Sequence, residues 1–363
     1  MSVVLDTKYQ MLNTFPMRIL SIETSCDDTA LALIDASGGI RSPKFKILES
    51  IISSQIDTHR PWGGVVPNLA KREHIANLPK IFKKMNTGKR TVDAVSVTVG
   101  PGLEPALWAG ISFAKEIYDE LKKKNPKLKL MGANHLEGHL YSFLLSQKTG
   151  FPNSKFQFSK QKLFPAVALI VSGGHTILLK MDSLTKWKKL GETRDDAVGE
   201  SFDKVAKMLG FPYPGGPEIQ RAAEKGDPKS ISFPRPMIGT KDYDFSYSGL
   251  KTSVLYYLRD HIRAKKTDVA ASFQEAALDV LIRKTERAAL EFNAKSIFLS
   301  GGVAANKELR KKLGIISKKL DINFIAPPQN FNTDNAVMIG VATYMGILKK
   351  KKYALTAHGN LNI

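Results

Sequence analysis

The sequence predicts an α/β protein of two duplicated domains around a central cleft, and three observations carry that expectation. Short apolar runs stop abruptly at glycine or small polar residues. The order hairpin, strand, glycine turn, helix occurs twice, at 18–35 with 92–121 and at 166–180 with 296–313. The 363-residue chain is 43% hydrophobic, enough for two sizeable cores at about 150 residues per domain. Chance matches within any α/β chain of this size are the alternative. The expected division is an N-terminal extension over 1–16, a first domain over 17–150 and a second over 151–363, with a helix at 335–348 packing back on the first.

Each element has its own signal. Residues 18–25 form a strand, Cys26-Asp-Asp-Thr29 a polar turn and 30–35 a second strand, giving a hairpin whose tip carries hydroxyls and carboxylates. A third strand follows at 46–53. The apolar run 94–99 enters Gly100-Pro-Gly102, and a helical pattern continues over 106–121. A polar connection with Lys155, Lys160 and Lys162 is expected over 150–163. Residues 166–171 and 176–180 form a second hairpin around Ser172-Gly-Gly-His175. Residues 199–210 show an apolar face at Phe202, Val205, Ala206 and Leu209, as a helix requires. Tyr213-Pro-Gly-Gly216 lies in a rigid turn. Residues 296–300 then run into Gly301-Gly302 and a helix at 304–313.

Composition excludes several classes. The 54 Lys and Arg outnumber 34 Asp and Glu, leaving a net charge of +20 that favours a polyanionic partner, nucleic acid before an anionic membrane. A single cysteine, Cys26, excludes an intramolecular disulfide and a multi-cysteine metal site, and points to a reducing compartment. The apolar stretch over 336–348 is shorter than the roughly 18–20 residues of a membrane helix and reads as a buried one. The first sixteen residues read as neither a signal peptide nor a full transit peptide, with the remnant of one as the alternative. Three lysine-rich runs, at 122–129, 310–319 and 349–352, each read as a solvated helix end or face.

Glycine-ended strands let backbone amides approach a phosphate closely. Ser172-Gly-Gly-His175, Gly100-Pro-Gly102 and Gly301-Gly302 all qualify, and each is equally readable as a plain turn; no nucleotide fingerprint accompanies them. In Asn134-His-Leu-Glu-Gly-His139 the two histidines stand at i and i+4, one face of a helix, where two imidazoles can ligate one metal. Two unrelated histidines are the alternative. Asp334, in the polar cluster 332–335, is the best carboxylate to complete the set. Glu137 sits at i+2 from His135, about 200° around a helix, so the metallopeptidase pattern H-E-x-x-H is not met. Asp203 reads as a ribose-binding carboxylate or as the partner of Lys207; Asn306 as a helix cap or a reader of an adenine edge.

These residues resemble a known family. Ile22-Glu-Thr-Ser-Cys-Asp-Asp-Thr29, Gly100-Pro-Gly102, Asn134-His-Leu-Glu-Gly-His139, Val171-Ser-Gly-Gly-His175 and Gly199-Glu-Ser-Phe-Asp203 stand in the order found in the tRNA threonylcarbamoyladenosine transferases (TsaD), formerly called O-sialoglycoprotein endopeptidases. So do Tyr213-Pro-Gly-Gly216, Ser246-Tyr-Ser-Gly-Leu-Lys251, Ser300-Gly-Gly-Val303 with Asn306, and Thr333-Asp-Asn335. The resemblance spans 18–345 and implies an actin-like ATPase fold. It further implies that His135, His139 and Asp334 hold one divalent metal, iron or zinc. By the same analogy Ile170, Val171, Ser172, Gly173 and Gly174 surround the ligand's phosphate and acyl portion, while Asp203, Gly216 and Asn306 contact its ribose and adenine. The implied reaction moves threonylcarbamoyl from threonylcarbamoyl-AMP to N6 of the adenosine beside the anticodon, in tRNAs reading codons that begin with adenine, releasing AMP. ATP or AMP is a further candidate ligand, and no residue stands out as general base. Asn332 replaces a cysteine common in the family. The sixteen-residue extension and the basic charge resemble a mitochondrial member, a matrix homodimer supplied by a threonylcarbamoyl-AMP synthase; the cytoplasm is the alternative location. A metallopeptidase and a regulatory nucleotide-binding ATPase are the competing functions.

Overall fold

The computed structural model describes residues 16–85, 91–145 and 163–363. The N-terminal extension, apart from Pro16, and the polar connection over 150–163, apart from Leu163, lie outside the described residues. In chain order the elements are β1 (Met17–Glu23), β2 (Asp28–Ser37), β3 (Lys44–Ser54), α1 (Ile56–His59), α2 (Pro67–Lys84), β4 (Ala94–Gly100), α3 (Glu104–Lys122), β5 (Lys129–Asn134) and α4 (His135–Tyr141). They continue with β6 (Ala166–Val171), β7 (Thr176–Ser183), β8 (Lys186–Glu192), α5 (Val198–Met208), α6 (Gly215–Ala223), α7 (Ser248–Asp260) and α8 (Lys266–Glu291). The last are β9 (Ser296–Ser300), α9 (Lys307–Lys319), β10 (Asn323–Ile325) and α10 (Ala336–Lys349).

Two five-stranded sheets repeat one topology, β3-β2-β1-β4-β5 and β8-β7-β6-β9-β10. β1 pairs antiparallel with β2 and parallel with β4, and β6 does the same with β7 and β9. The sequence duplication is therefore a duplication of strand pairing. The chain divides into two compact units: Met1–Gln55, Val65–Phe158 and Asp334–Ile363 form one, Ile56–Gly64 and Ser159–Thr333 the other. Residues 334–363 thus group with the N-terminal unit and 56–64 with the C-terminal one.

In the first unit, side chains of β1 alternate between two faces, as a strand demands. Leu20 and Ile22 join Leu31, Leu33, Val95 and Val97 in a core shared with α2 and α3. Ser21, between them, donates to the Ala336 carbonyl at 2.6 Å and so marks the face covered by α10. Every residue of α10 from Ala336 to Gly346 is buried. Gly340 permits that contact, because a Cβ there would meet Ile34 Cδ1 at 2.7 Å. In the second unit, Val167, Leu169 and Val171 of β6 pack with Phe202, Phe273 and Leu299, and α8 contributes the longest buried face. The helix expected over 304–313 is instead a 3-10 turn, Gly302–Ala305, followed by α9, since Asn306 takes an extended conformation and caps α9. No helix among the described residues is long and apolar enough to cross a membrane.

Candidate metal centre and ligand-binding turns

Asn134 ends β5 and caps α4, its Oδ1 accepting from the Glu137 amide at 3.1 Å. That cap starts the helix at His135 and sends His135 and His139 along one face. Their Nε2 atoms stand 3.4 and 3.2 Å from Asp334 Oδ1, and one ligand atom from each of the three lies within 4.8 Å of the others. Donors about 2.1 Å from a tetrahedral cation stand about 3.4 Å apart, so the spacing suits a single ion. His139 is fully buried; its Nδ1 has no hydrogen-bond partner, and its Nε2 faces the Asp334 carboxylate outside hydrogen-bond geometry. A buried imidazole so placed is costly unless a cation or its water satisfies it. The donor set therefore fits one metal ion.

Glu23 and Ser25, at the end of β1, hold the other side of His135. His135 Nδ1 lies 3.1 Å from both Glu23 Oε2 and Ser25 Oγ. Glu23 is itself fixed by the Ser25 amide at 2.5 Å and Thr98 Oγ1 at 2.6 Å. A carboxylate on Nδ1 leaves Nε2 as the atom that could ligate a metal. Burial alone raises the Asp334 carboxyl, but His135 and His139 outweigh it and hold the group well below the ordinary carboxylate range. Burial lowers His135, and Asp334 and Glu23 reverse that, raising it above an ordinary histidine. Burial keeps His139 below one. At the hairpin tip, burial and the neighbouring Asp27 push Asp28 up to about 7.

The second unit presents the glycine turns. Ser172 closes its turn on His175, donating its amide to the His175 carbonyl at 2.8 Å and accepting the His175 amide on Oγ at 3.1 Å. Gly173 and Gly174 are exposed, with open space where a Cβ would stand, and Ile170 and Val171 are buried in β6 beneath them. Gly301 has a left-handed φ of 91°, and a Cβ there would strike the Val171 carbonyl at 2.2 Å, so only glycine lets the two turns approach. Asp203 accepts the Gly215 amide at 2.7 Å at the start of α6, where Gly216 also has open space around it. Asn306 caps α9 through Leu309 and donates to Gln274 Oε1 at 2.8 Å. A pocket of about 240 Å³ lies beside it, lined by residues that include Gln220, Ala223, Gln274 and Lys307.

Sequence reasoning named His135, His139 and Asp334, which the structure brings together, and missed the residues that hold them. The run Glu23-Thr-Ser25 was legible as a polar strand end, but its contact with a histidine 110 residues away was not. Two basic residues were misread. Arg310 is half-buried, donating to the Ala304 and Pro327 carbonyls and Asn332 Oδ1. Lys349, expected in a solvated helix end, is 10% exposed and pairs with the buried Glu137. The Glu137 side chain is thereby engaged by Lys349 and Lys351 rather than free to serve as a general base.

Residues 46–341 match the family described as tRNA N6-adenosine threonylcarbamoyltransferase, TsaD. A protein of that name from Thermosipho melanesiensis is 46% identical over 351 residues, covering 96% of this chain and 100% of the relative. Those from Thermotoga neapolitana and Moorella thermoacetica are each 44% identical, covering 90% and 92% of this chain and 94% and 92% of their own. These relatives are bacterial, so they support the family and not a mitochondrial branch of it. Among solved structures, full-length HypF in its phosphate- and nucleotide-bound form aligns with TM-score 0.54 at 12% identity, over 94% of this chain and 47% of HypF. T. kodakarensis HypF aligns at 0.57 and 15%, over 93% and 48%. This chain spans about half of each HypF, and the likeness, which concerns fold alone, is to actin-like ATPase-fold proteins. Matched along nearly its whole length by relatives of one name, the chain belongs to the TsaD family, the tRNA N6-adenosine threonylcarbamoyltransferases.

Proposed function

We propose that the chain moves threonylcarbamoyl from threonylcarbamoyl-AMP to N6 of the adenosine beside the anticodon, in tRNAs reading codons that begin with adenine. The N6 lone pair forms the new bond to the carbamoyl carbon, the carbon–oxygen bond to phosphate breaks, AMP leaves with that electron pair, and the amine's proton goes to solvent. The observation that carries this reading is the buried cluster of His135, His139 and Asp334, in which His139 makes no hydrogen bond, in a chain of this family. A divalent cation held by these three, iron or zinc by the character of two imidazoles and a carboxylate, would supply Lewis-acid stabilisation of developing oxygen charge.

The chain's own residues bind and orient. An aromatic amine is a weak nucleophile, so alignment and oxyanion stabilisation carry most of the rate. In our reading the turn at Ile170, Val171, Ser172, Gly173 and Gly174 receives the phosphate and acyl portion, supported by its open glycines. Asp203, Gly216 and Asn306 take the ribose and adenine; a pocket beside Asn306, lined by its partner Gln274 and by Lys307, supports the last of these. Bound ATP or AMP would use the same groups. The net charge of +20 supports tRNA as partner. A homodimer, supply by a threonylcarbamoyl-AMP synthase, and a mitochondrial-matrix rather than cytoplasmic location belong to the same proposal; sizing and fractionation test the first and last.

The central experiment is mass spectrometry of tRNA nucleosides after incubation with threonine, bicarbonate, ATP, an adenylate synthase and this protein. Modified adenosine is expected with the protein and lost with His135→Ala. Absence of product with the unsubstituted protein overturns the transfer reaction, and product formed by His135→Ala overturns the metal's part in it.

A further inference from the structure

The metal helix α4 is tethered by a part of the chain that the transferase chemistry leaves unused. Glu137, on the side of α4 away from the metal, is 1% exposed, and its Oε1 accepts from Lys349 Nζ at 3.1 Å and Lys351 Nζ at 2.9 Å. Lys349 also lies over the Tyr141 ring, 5.4 Å from its centroid, at the last residue of α4. Asn134, whose Oδ1 caps α4, uses its Nδ2 to donate to the Asn362 carbonyl at 2.9 Å. Between these two points the chain is bound down by His358, whose amide donates to the Val99 carbonyl at 2.8 Å, and by Gly359, whose carbonyl accepts from the Gly102 amide at 3.1 Å.

α4 also meets the head of α10. A Cβ on Gly138 would stand 3.0 Å from Met338 Cγ and 3.3 Å from Ile339 Cδ1. Asp334 lies just before that head, and Lys349 closes the other end of the same helix. α4 is thus fixed at both ends of α10, and a seven-residue helix held at two separated points has its rotation and slide determined.

His135 and His139 differ in what else holds them. His135 is oriented by Glu23 and Ser25, whereas His139 makes no hydrogen bond at Nδ1 and its Nε2 faces the carboxylate of Asp334, itself a candidate ligand, at 3.2 Å. Beyond Asp334 and the edge of the His135 ring, the placement of the His139 ring comes from the backbone of α4. We propose that the segment from Lys349 to Asn362 is a positioning strap that sets the second metal ligand, His139, by holding α4 at Glu137 and Asn134. Lys349, Lys351 and Asn134 act as positioning residues for the metal centre, not as ligands. This rests on the metal reading of His135, His139 and Asp334.

Cobalt(II) is the probe, because its visible spectrum reports the ligand set, and affinity is measured by titration of the purified full chain. Lys351→Met keeps the apolar stem and removes the charge; Asn134→Asp keeps the cap acceptor and removes the donor to Asn362. Each is expected to weaken cobalt binding by about tenfold, the size typical of lost outer support, and to change the visible bands. In a His139→Ala background the same substitutions should cause no further loss, because the ligand they position is gone. Equal losses with and without His139 would overturn the proposal, as would unchanged affinity in both variants. Melting of the metal-free variants separates a folding defect: should either fail to fold, the other, or Lys349→Met, is read in its place. Failure of the unsubstituted chain to bind cobalt would instead overturn the metal reading itself.

Discussion

The carboxylate of Glu23 does for His135 what the helix backbone must do for His139. It sits in the interior with three donors converging on it, so its charge is compensated and its position fixed. Glu23→Gln keeps the shape and removes the charge that makes Nε2 a better donor. Metal affinity is expected to fall by about ten- to a hundredfold in a chelator competition, with the fold retained; an unchanged affinity would show that Glu23 serves packing alone. Asp28 makes the opposite case, a carboxyl that burial keeps from ionising. Its folded value of about 7 lies above that of the unfolded chain, so the folded state binds the extra proton between about pH 4 and pH 7. The stability tied to that proton is fully present below about pH 4 and is lost as the pH rises through 7. In metal-free protein, Asp28→Asn should therefore melt higher than the parent at pH 8 by about 1–3 kcal/mol of stability, and the gap should close towards pH 4. A gap independent of pH would mean that Asp28 ionises normally.

At the scale of elements, what was legible followed from how local each signal is. β1, β4, β6 and β9 are buried on both faces along most or all of their length, and read as apolar runs, unbroken in β6 and interrupted only by small hydroxyl residues within β1 and β4, as central strands with parallel neighbours do. β8, with the sequence KWKKLGE, is an edge strand with a wet face, and its pairing to β7 is a tertiary fact that charge obscures. Lys349 was misread for the same reason: a run of lysines looks solvated until Glu137, 212 residues away, is brought beside it. α9 shows a residue whose two readings are separable. Asn306 commits its oxygen to the Leu309 amide and its nitrogen to Gln274, so its demonstrable role is to cap. Asn306→Ala should cost about 1 kcal/mol and lower the melting temperature by a few degrees, whereas Asn306→Asp, which retains the acceptor, should melt close to the parent. A KM for the nucleotide substrate raised in Asn306→Asp at unchanged stability would add the adenine contact to the cap. Equal melting of all three proteins would remove the cap from the account.

For the whole molecule, fold and chemistry draw on different information. The repeated centre of the topology, β2-β1-β4 and β7-β6-β9, follows from the two hairpins and the two strand–glycine–helix joints, whereas β5, β8 and β10 carry no such signal. The reaction does not follow from them, because an actin-like fold hosts many functions and the HypF likeness carries only the fold. Specificity came from small motifs, and from charge came only the class of partner. Of the lysines beyond the sites, many stand exposed with their own carboxylate neighbours, such as Lys311 with Glu308 and Lys319 with Glu286, pairs that contribute little to stability in water. Their net excess is left to act on a polyanion at long range. Release of counterions from tRNA then makes affinity fall with salt as a power law. Binding measured at 50 and 200 mM salt should weaken by about tenfold or more, and by similar factors for cognate and non-cognate tRNAs, since phosphate contacts carry no sequence. Turnover at saturating cognate tRNA should change far less, because the glycine turns and the metal ligands do not depend on surface charge. An affinity that ignores salt would assign the +20 to something other than tRNA, and a collapse of saturated turnover would place the charge within the chemistry rather than in front of it.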